Sequence, residues 1–265
     1  MNSTQPEPLD IVFLARPSCR TVAYCSVMRN LGLYPRQVVW LQGDMPFFSK
    51  LQDEDQRHGY SQHYFDLSLE PLAWLRSCGA QVFMAVTHDV NAPEVIALIQ
   101  NCTAPALLFS AAGIVAPDTL ATGKCFIHVH PGLLPDYRGS TCFYYALLEE
   151  GCVGASAFIM NAGIDDGLLL ERSRFDINLR IQEDQYLFMD HILDPYIRAQ
   201  VLKRVLTRLH AGAGIQGYAN RASNRPACYV MHPLLRALAV KRLNSCFDPD
   251  RPDGLIEHAV PEESP

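Results

Sequence analysis

The chain has 265 residues, of which 49% are apolar and 19% are charged, so it can bury a sizeable core as one large domain or as one domain with an appendage. Its net charge of −6 and its sequence pI of about 5.8 argue against a nucleic-acid-binding protein, which usually presents a strongly basic face. We interpret the basic residues within 198–208 as a solvated helix face.

The N-terminal residues, MNSTQPEPLD, lack the basic segment and apolar run of a secretory signal. No stretch reaches the roughly 18 uninterrupted apolar residues that are needed to cross a bilayer. The nine cysteines are an odd number and include no C-x-x-C pair, which disfavours a disulfide framework and a structural zinc site. We therefore expect a cytoplasmic protein with reduced thiols and no membrane partner.

Short apolar runs alternate with helical patterns through the first 160 residues. Strands are predicted at 11–14, 37–41, 82–86, 104–109, 126–130 and 156–160. Helices are predicted at 20–31 with Ser18 as N-cap, and at 71–78, 93–100 and 141–150. Residues 43–66 have no clean period and are predicted to form a loop or a lid. The alternation predicts an α/β fold, a doubly wound, mostly parallel, Rossmann-like sheet with helices on both faces.

A long helical pattern occupies 185–209, and Pro195 inside it is expected to kink or divide the helix. The composition changes beyond this pattern. A polar loop is predicted at 220–226, a basic amphipathic helix at 232–243 and a polar tail at 247–265. We therefore predict a main domain at 1–210 and a small C-terminal extension at 211–265.

Two segments contain most of the residues suited to chemistry: HVHPGLLPDYRGS at 128–140 and GASAFIMNAGIDDGLLL at 154–170. His128 and His130 are two positions apart at the end of a predicted strand, so both imidazoles should point to one face. Asp165 also follows a predicted strand. Because ligand sites of open α/β sheets lie at the carboxyl ends of strands, we expect these three side chains to converge in one crevice.

Three interpretations fit this cluster. A histidine oriented by an aspartate suits acid–base chemistry on a carbonyl group. A His-x-His pair with a carboxylate also suits zinc or iron. Two hydrogen-bonded histidines at a turn are an equally good interpretation of the bare His-x-His spacing, which is a weak motif.

The longer pattern resembles the folate-dependent formyltransferase family, which includes glycinamide ribonucleotide, methionyl-tRNA and sugar-nucleotide formyltransferases. The family pattern reads approximately Asn-x-His-x-Ser-Leu-Leu-Pro-x-x-Arg-Gly, followed downstream by Asp-x-Gly. The matching positions here are His130, Leu133, Leu134, Pro135, Arg138, Gly139, Asp165 and Gly167. The resemblance extends over about 10–210 and is specific between 126 and 170, which implies a formyltransferase-like catalytic domain at 1–210.

The resemblance implies an enzyme that transfers a formyl group from its co-substrate, 10-formyltetrahydrofolate, to an amine without a metal. It assigns His130 as the catalytic histidine and Asp165 as the catalytic aspartate. Two loops are expected to bind the folate head, largely through backbone groups. They comprise Ala112, Gly113, Ile114 and Val115, and Asn161, Ala162, Gly163 and Ile164.

One position departs from the family pattern. His128 stands where the family has a catalytic asparagine that donates a hydrogen bond to the formyl oxygen. Losing such a donor typically costs about 10²- to 10³-fold in rate. Because a neutral histidine can also donate from one ring nitrogen, we predict that His128 acts as a third catalytic residue. Gly132 replaces the usual serine, a change that we expect to matter little.

The mechanism implied by the resemblance is direct transfer. The amine attacks the formyl carbon, and negative charge develops on the formyl oxygen beside His130 and His128. Asp165 orients His130 and helps to take the amine proton. A 10-formyltetrahydrofolate hydrolase and a non-catalytic folate-binding relative stay open as alternatives, and a metal-dependent hydrolase is a more distant one.

Two comparisons within the family limit the kinds of amine acceptor that we expect. The segment ARPSCRT, after the first strand, lacks the glycines of the phosphate loop in ribonucleotide formyltransferases. Few residues follow the long helix for the basic domain of the tRNA enzymes, and the chain is acidic. We therefore expect a small amine and no nucleic-acid partner, and we leave homo-oligomers open. Arg16 and Arg20 are equally well interpreted as surface charges or as partners of an anionic group.

Overall fold

The computed structural model describes residues 5–182, 184–185 and 187–261, and their strands form one eight-stranded sheet. The strands are β1 (Glu7–Ala15), β2 (Leu33–Trp40), β3 (Gln81–Met84), β4 (Ala106–Ser110), β5 (Cys125–His130), β6 (Cys152–Ile159), β7 (Leu169–Asn178) and β8 (Gly254–Ala259). Their order in the sheet is β3-β2-β1-β4-β5-β6-β7-β8. The first five strands of the chain are parallel, and β6, β7 and β8 are antiparallel to their neighbours.

Helices cover both faces of this sheet. The described α-helices are α1 (Cys19–Asn30), α2 (Phe48–His58), α3 (Tyr60–His63), α4 (Pro71–Ser77), α5 (Pro93–Asn101), α6 (Pro117–Leu120), α7 (Cys142–Glu150), α8 (Asp194–His210) and α9 (Pro233–Ser245). Helices α1 and α8 pack together over one apolar layer that includes Phe13 and Val129, and α5 covers the opposite layer, which includes Val12 and Phe126. The predicted α/β fold is therefore confirmed. No helix among the described residues is long and apolar enough to cross a membrane.

The first strand and helix form as predicted. The Ser18 hydroxyl caps α1 by accepting a hydrogen bond from the N–H of Thr21 at 3.1 Å. Because α1 begins directly after the carboxyl end of β1, its first-turn residue Arg20 lies at the edge where the parallel strands end.

Residues 43–66, which we predicted to be a loop or a lid, contain helices α2 and α3, so that prediction is wrong. Leu51 and Tyr60 are buried, and the hydroxyl of Tyr60 donates to the buried carboxylate of Glu54 at 3.2 Å. Most other side chains of α2 are polar, so the segment has too few apolar positions to show a helical stripe.

Strands β7 and β8 were not predicted, and β8 lies within the predicted tail at 247–265. Charged residues such as Glu171 and Arg174 interrupt the apolar pattern of β7. Strand β8 is the edge of the sheet and pairs only with β7, so most of its side chains are exposed and lack an apolar face.

The long helical pattern at 185–209 divides close to Pro195. A π-helical turn at Met189–Leu193 precedes α8, and Pro195 occupies the first turn of α8. A proline fits there because the first N–H groups of a helix have no intrahelical acceptor.

The C-terminal extension packs along the rest of the chain. Helix α9 contacts α7, and β8 joins the common sheet. Between them, the N–H of Cys228 donates to the carbonyl oxygen of Arg138 at 2.7 Å, and the N–H of Ser140 donates to the carbonyl oxygen of Cys228 at 2.8 Å. The extension therefore reaches the 128–140 motif, while the division into domains at 1–210 and 211–265 stays a prediction.

Candidate active site

His128 and His130 lie at the carboxyl end of β5 on one face of the sheet. Phe126 shares this face and packs in the layer covered by α5, whereas Ile127 and Val129 belong to the opposite layer. This arrangement follows from the two-residue repeat of a strand. The structure thus agrees with the expectation that both imidazoles point to the same side.

Both ring nitrogens of His130 face hydrogen-bond acceptors, and the residue is only 3% exposed. Nε2 lies 2.9 Å from the carbonyl oxygen of Tyr137, and Nδ1 lies 3.3 Å from Oδ2 of Asp165. The proton of neutral His130 lies on Nε2, because this nitrogen donates to the carbonyl oxygen of Tyr137. A lone pair of Nδ1 then faces a lone pair of Oδ2 of Asp165, which is unfavourable. A second proton between Nδ1 and Oδ2 would turn this contact into a hydrogen bond, so the pair gains stability by accepting a proton.

Burial lowers the pKa of His130 below its ordinary value of 6.5, and the carboxylate of Asp165 partly opposes this effect. Arg198 lowers the pKa further by charge repulsion. His130 is therefore neutral at pH 7 and is able to act as a base.

The chain path that brings Asp165 to His130 differs from the prediction. The prediction places both residues after strands whose carboxyl ends lie at the same end of the sheet. Strand β6 instead runs antiparallel to β5, with Ile159 opposite Ile127, so its carboxyl end lies beside the start of β5. The connection at 160–168 therefore folds back along the sheet to bring Asp165 to His130.

Two further hydrogen bonds hold Asp165 in this position. The N–H of Gly139 donates to Oδ2 at 2.8 Å, and the side-chain amide of Asn220 donates to the carbonyl oxygen of Asp165 at 3.4 Å. Asp165 has a φ of 51°, a left-handed conformation that short polar residues tolerate better than most. The Arg-Gly of the motif therefore contributes the N–H of Gly139, and the C-terminal extension contributes Asn220.

Two glycines of the motif are required by close backbone contacts. A Cβ atom on Gly167 would lie 1.6 Å from the carbonyl oxygen of Ile159, and one on Gly132 would lie 2.4 Å from the carbonyl oxygen of Tyr137. This Tyr137 oxygen is also the acceptor beside His130. This backbone therefore has no room for the serine of the family pattern, while the expectation that the replacement matters little stays a prediction.

His128 lies between two aromatic rings beside the His130–Asp165 pair. Its ring centroid is 5.5 Å from that of Phe109 and 5.8 Å from that of Phe158, both in edge-on arrangements. Its Nδ1 is buried and has no hydrogen-bond partner. Burial, followed by the charges of Arg20 and Arg198, lowers the pKa of His128 well below its ordinary value of 6.5. A hydrogen bond with the backbone of Phe109 partly opposes this effect. His128 is therefore neutral at pH 7 and carries a single N–H.

The two loops expected to border folate are mostly exposed. Ala112, Gly113 and Ile114 are exposed after β4, while Val115 is buried with 7% exposure. Asn161, Ala162, Gly163 and Ile164 are exposed in the connection that holds Asp165. A large apolar side chain stands on each loop, with Ile114 83% and Ile164 61% exposed. Such side chains suit a flat apolar ligand.

Arg198 was assigned to a solvated helix face, and this assignment is wrong. Its side chain is 11% exposed and donates to both carboxylate oxygens of Asp194, at 2.9 and 3.0 Å. Its Nη1 also donates to the carbonyl oxygen of Val129 at 3.3 Å, directly between the two histidines. The spacing of four residues between Asp194 and Arg198 on a helix indicates that the two side chains can pair, but it does not indicate that the pair is buried.

The geometry favours one of the three interpretations of the histidine cluster. His130 has a carboxylate partner, and His128 has a ring nitrogen without one. Within the described part of the chain, no group of three or more His, Cys, Asp and Glu side chains is placed to hold a metal ion. The arrangement therefore suits proton transfer together with hydrogen-bond donation to an oxygen.

Comparisons with known proteins find similarity to formyltransferases. No family model matches the chain. It is 31% identical over 130 residues to a methionyl-tRNA formyltransferase of Geobacter metallireducens, covering 47% of this chain and 40% of that protein. It is 29% identical over 126 residues to the methionyl-tRNA formyltransferase of Caldanaerobacter subterraneus subsp. tengcongensis, covering 46% of this chain and 39% of that protein. The matched segment spans about two fifths of the length of each relative.

A solved structure shares the fold. The crystal structure of phosphoribosylglycinamide formyltransferase from Anaplasma phagocytophilum aligns with a TM-score of 0.54 at 10% identity, covering 84% of this chain and 97% of that chain. At this identity the likeness concerns the fold alone. Together the comparisons confirm that the chain resembles the formyltransferases, as the 126–170 segment predicted.

Proposed function

We propose that this protein transfers a formyl group from 10-formyltetrahydrofolate to the amine of a small molecule. The observation that carries the proposal is the placement of neutral His128, whose Nδ1 has no partner, beside the buried His130–Asp165 pair, in a chain that resembles formyltransferases. In this reaction the amine nitrogen bonds to the formyl carbon, and the bond from that carbon to the folate nitrogen breaks.

The co-substrate is assigned to the crevice between 112–115 and 161–164. Ile114 and Ile164 offer exposed apolar surface on either side of a flat ring system. The exposed backbone of Gly113 and Gly163 offers hydrogen-bonding groups that do not depend on side-chain identity. This chemistry fits a heteroaromatic ring edged with donors and acceptors.

We assign stabilisation of the formyl oxygen to His128. Negative charge develops on this oxygen as the amine attacks, and a neutral imidazole can donate one hydrogen bond to it. His130 is less suited to this task because both of its nitrogens already face protein oxygens. The resemblance implied that His130 and His128 both contact this oxygen, and the assignment keeps the contact at His128, the residue in the family's asparagine position.

We assign proton transfer to His130 and Asp165. The attacking nitrogen must lose a proton, and the folate nitrogen that leaves must gain one. The unprotonated pair gains stability by accepting a proton, as the facing lone pairs of Nδ1 and Oδ2 imply. Burial keeps the pKa of His130 low enough for the pair to return that proton to the leaving group.

A small amine is our proposed acceptor. The net charge of −6 is unfavourable for binding a polyanion, and the turn after β1 reads Arg16-Pro17-Ser18 without a phosphate-binding glycine. Because the relatives are methionyl-tRNA formyltransferases, an aminoacyl-tRNA is the alternative acceptor that the experiment must include. The nine free thiols support a cytoplasmic location, which is part of the proposal.

The test is incubation of the protein with 10-formyltetrahydrofolate and a library of amines, with methionyl-tRNA, or without an acceptor. Release of tetrahydrofolate and the mass of the formylated product are measured. We expect a formylated small amine, with the same yield when a chelator is present. Release of tetrahydrofolate without any acceptor would indicate a hydrolase. A formylated product from methionyl-tRNA alone would make the tRNA, and not a small amine, the acceptor. If a non-transferable folate analogue does not bind at millimolar concentration, the proposal is overturned.

A further inference from the structure

Thr141, the N-cap residue of α7, has a backbone conformation that is unusual for its residue type. Its φ is 53°, in the left-handed region that β-branched residues disfavour. A threonine in this position normally uses its hydroxyl to accept a hydrogen bond from the first turn of its own helix, yet Thr141 makes no such bond. Because neither local preference is met, contacts from elsewhere in the fold must hold this conformation.

The hydroxyl of Thr141 binds the C-terminal extension instead of its own helix. Oγ1 donates to the carbonyl oxygen of Tyr229 at 3.1 Å and accepts from the N–H of Met231 at 2.9 Å. Met231 is 1% exposed and packs in the apolar core, which anchors this part of the extension a second time. Thr141 thus holds residues 228–231, here called the 228–231 segment, in one position at the start of α7.

The 228–231 segment also lies against Gly139. The backbone of Cys228 makes one hydrogen bond with the residue before Gly139 and another with the residue after it. The fit is close, because a Cβ atom on Gly139 would lie 2.4 Å from the carbonyl oxygen of Cys228. The N–H of Gly139 in turn donates to Oδ2 of Asp165 at 2.8 Å. The segment therefore fixes the direction of the N–H that holds the aspartate.

We propose that Thr141 is a positioning residue for the His130–Asp165 pair, acting through the 228–231 segment and the N–H of Gly139. The inference rests on the proposed function, because it concerns the base of the same reaction. Loss of the Thr141 hydroxyl would loosen the segment, so that the N–H of Gly139 no longer points at Oδ2 of Asp165. The base would then lose its fixed orientation towards the reacting nitrogen. A carboxylate that has lost a donor also attracts a proton more strongly, so the pKa of His130 beside it should rise.

The first test measures single-turnover formyl transfer by the full chain from 10-formyltetrahydrofolate to the amine identified in the acceptor screen. Thr141→Val keeps the branched shape of the side chain but has no hydroxyl. We expect its rate at neutral pH to fall roughly tenfold, a part of the about 10²- to 10⁴-fold that a positioned base contributes. On the acid side of the pH profile, its rate should fall at a higher pH than that of the parent, because the base takes up a proton more readily. Thr141→Ser retains the hydroxyl and should restore both the rate and the profile.

The other charged or titratable groups that act on His130 are unchanged in these variants. They are Arg198, Asp194 and His128. A shift of the pH profile therefore reports on the hydrogen bond between Gly139 and Asp165.

The second test needs no substrate and measures hydrogen exchange of the Gly139 amide. This amide should exchange about tenfold or more faster in Thr141→Val than in the parent, because an N–H that has lost its acceptor is less protected, whereas the amides of β4 should be unchanged. Thr207→Val is the matched control, because the hydroxyl of Thr207 donates within α8, to the carbonyl oxygen of Lys203 at 2.8 Å. It should behave like the parent in both tests.

Thr141→Ala removes the same hydroxyl with a smaller side chain, so it decides the question if Thr141→Val does not fold. An unchanged rate or an unchanged exchange of the Gly139 amide in the variant without the hydroxyl contradicts the inference, and so does a loss that Thr141→Ser does not restore. Faster exchange of the Gly139 amide in Thr141→Val, in a protein whose parent form transfers no formyl group, would instead overturn the proposed function alone.

Discussion

Oδ2 of Asp165 lies 3.3 Å from Nδ1 of His130, although β5, which ends at His130, and β6, which precedes Asp165, run in opposite directions. The connection at 160–168 brings them together by folding back along the sheet. The same connection carries the exposed residues at 161–164, which we assign to the co-substrate. Displacement of this connection should therefore weaken co-substrate binding and proton transfer together.

Because His130 and Asp165 are expected to act as one base, their replacement should not be additive. His130→Ala and Asp165→Ala should each lower kcat by about 10²-fold or more, and the double variant should be little worse than the poorer single variant. Single-turnover formyl transfer provides the measurement. The neighbouring exposed carboxylate serves as the control, so Asp166→Ala should stay within a few-fold of the parent. Near-normal turnover in either single variant would show that the pair is not the base.

His128 should be replaceable by the family's own residue. His128→Asn restores an amide donor and should keep substantial activity, whereas His128→Ala should lose about 10²-fold or more in kcat. The exposed His88 provides a matched control, and His88→Ala should have no effect. If His128→Ala were as active as the parent, the formyl oxygen would have to be stabilised by another group.

The two exposed isoleucines should contribute to binding of the folate ring. Ile114→Asp or Ile164→Asp removes apolar surface worth about 1.5–3 kcal/mol when fully covered, so a folate analogue should bind roughly tenfold or more weakly. Ile256→Asp changes another exposed isoleucine, on the edge strand β8, and should leave binding unchanged. Calorimetric titration distinguishes the variants. Unchanged affinity in both loop variants would place the folate elsewhere.

The buried histidines should make the fold sensitive to acid. Burial lowers the pKa of His128 and of His130 below the ordinary value of 6.5, so below pH 6.5 the unfolded chain binds more protons than the folded one. Their contribution to stability is therefore complete above pH 6.5 and is lost as pH falls towards the folded-state pKa values. The slope is at most about 1.4 kcal/mol per pH unit for each histidine. Urea unfolding between pH 5 and 8 measures it.

The pH dependence of the free energy of unfolding should become shallower in His128→Asn, which removes one of the two groups. His88→Asn, a substitution at an exposed histidine, should keep the slope of the parent. A parent protein whose unfolding free energy is flat between pH 5 and 7 would contradict the burial of neutral imidazoles at this site.

Gly167 should be the least replaceable glycine of the motif. Gly167→Ala would place a Cβ atom 1.6 Å from the carbonyl oxygen of Ile159, so the backbone of β6 or of the following connection must move. We expect a loss of about 3 kcal/mol or more in stability, or failure to fold. Gly214→Ala meets no atom within 4 Å and should change stability by less than about 1 kcal/mol. Thermal unfolding of the two variants provides the comparison.

Local sequence patterns determined much of the first 160 residues. The apolar runs of β1, β4 and β5 predicted buried strands, and Ser18 predicted the start of α1. The two-residue spacing of His128 and His130 determined that they share a face. These features depend only on neighbours a few residues away, which is why one sequence is sufficient to predict them.

Only the tertiary structure decided how the site is assembled. The spacing of Asp165 predicted that it would meet His130, but not that β6 runs antiparallel and that the chain must turn back to bring them together. The placement of Arg198 and Arg20 near His128, and the contact of Asn220 with Asp165, join segments between about 50 and 110 residues apart. A repeat along the chain reports which face of an element is apolar. It carries no information about the direction of the neighbouring strand or about which distant segment covers that face.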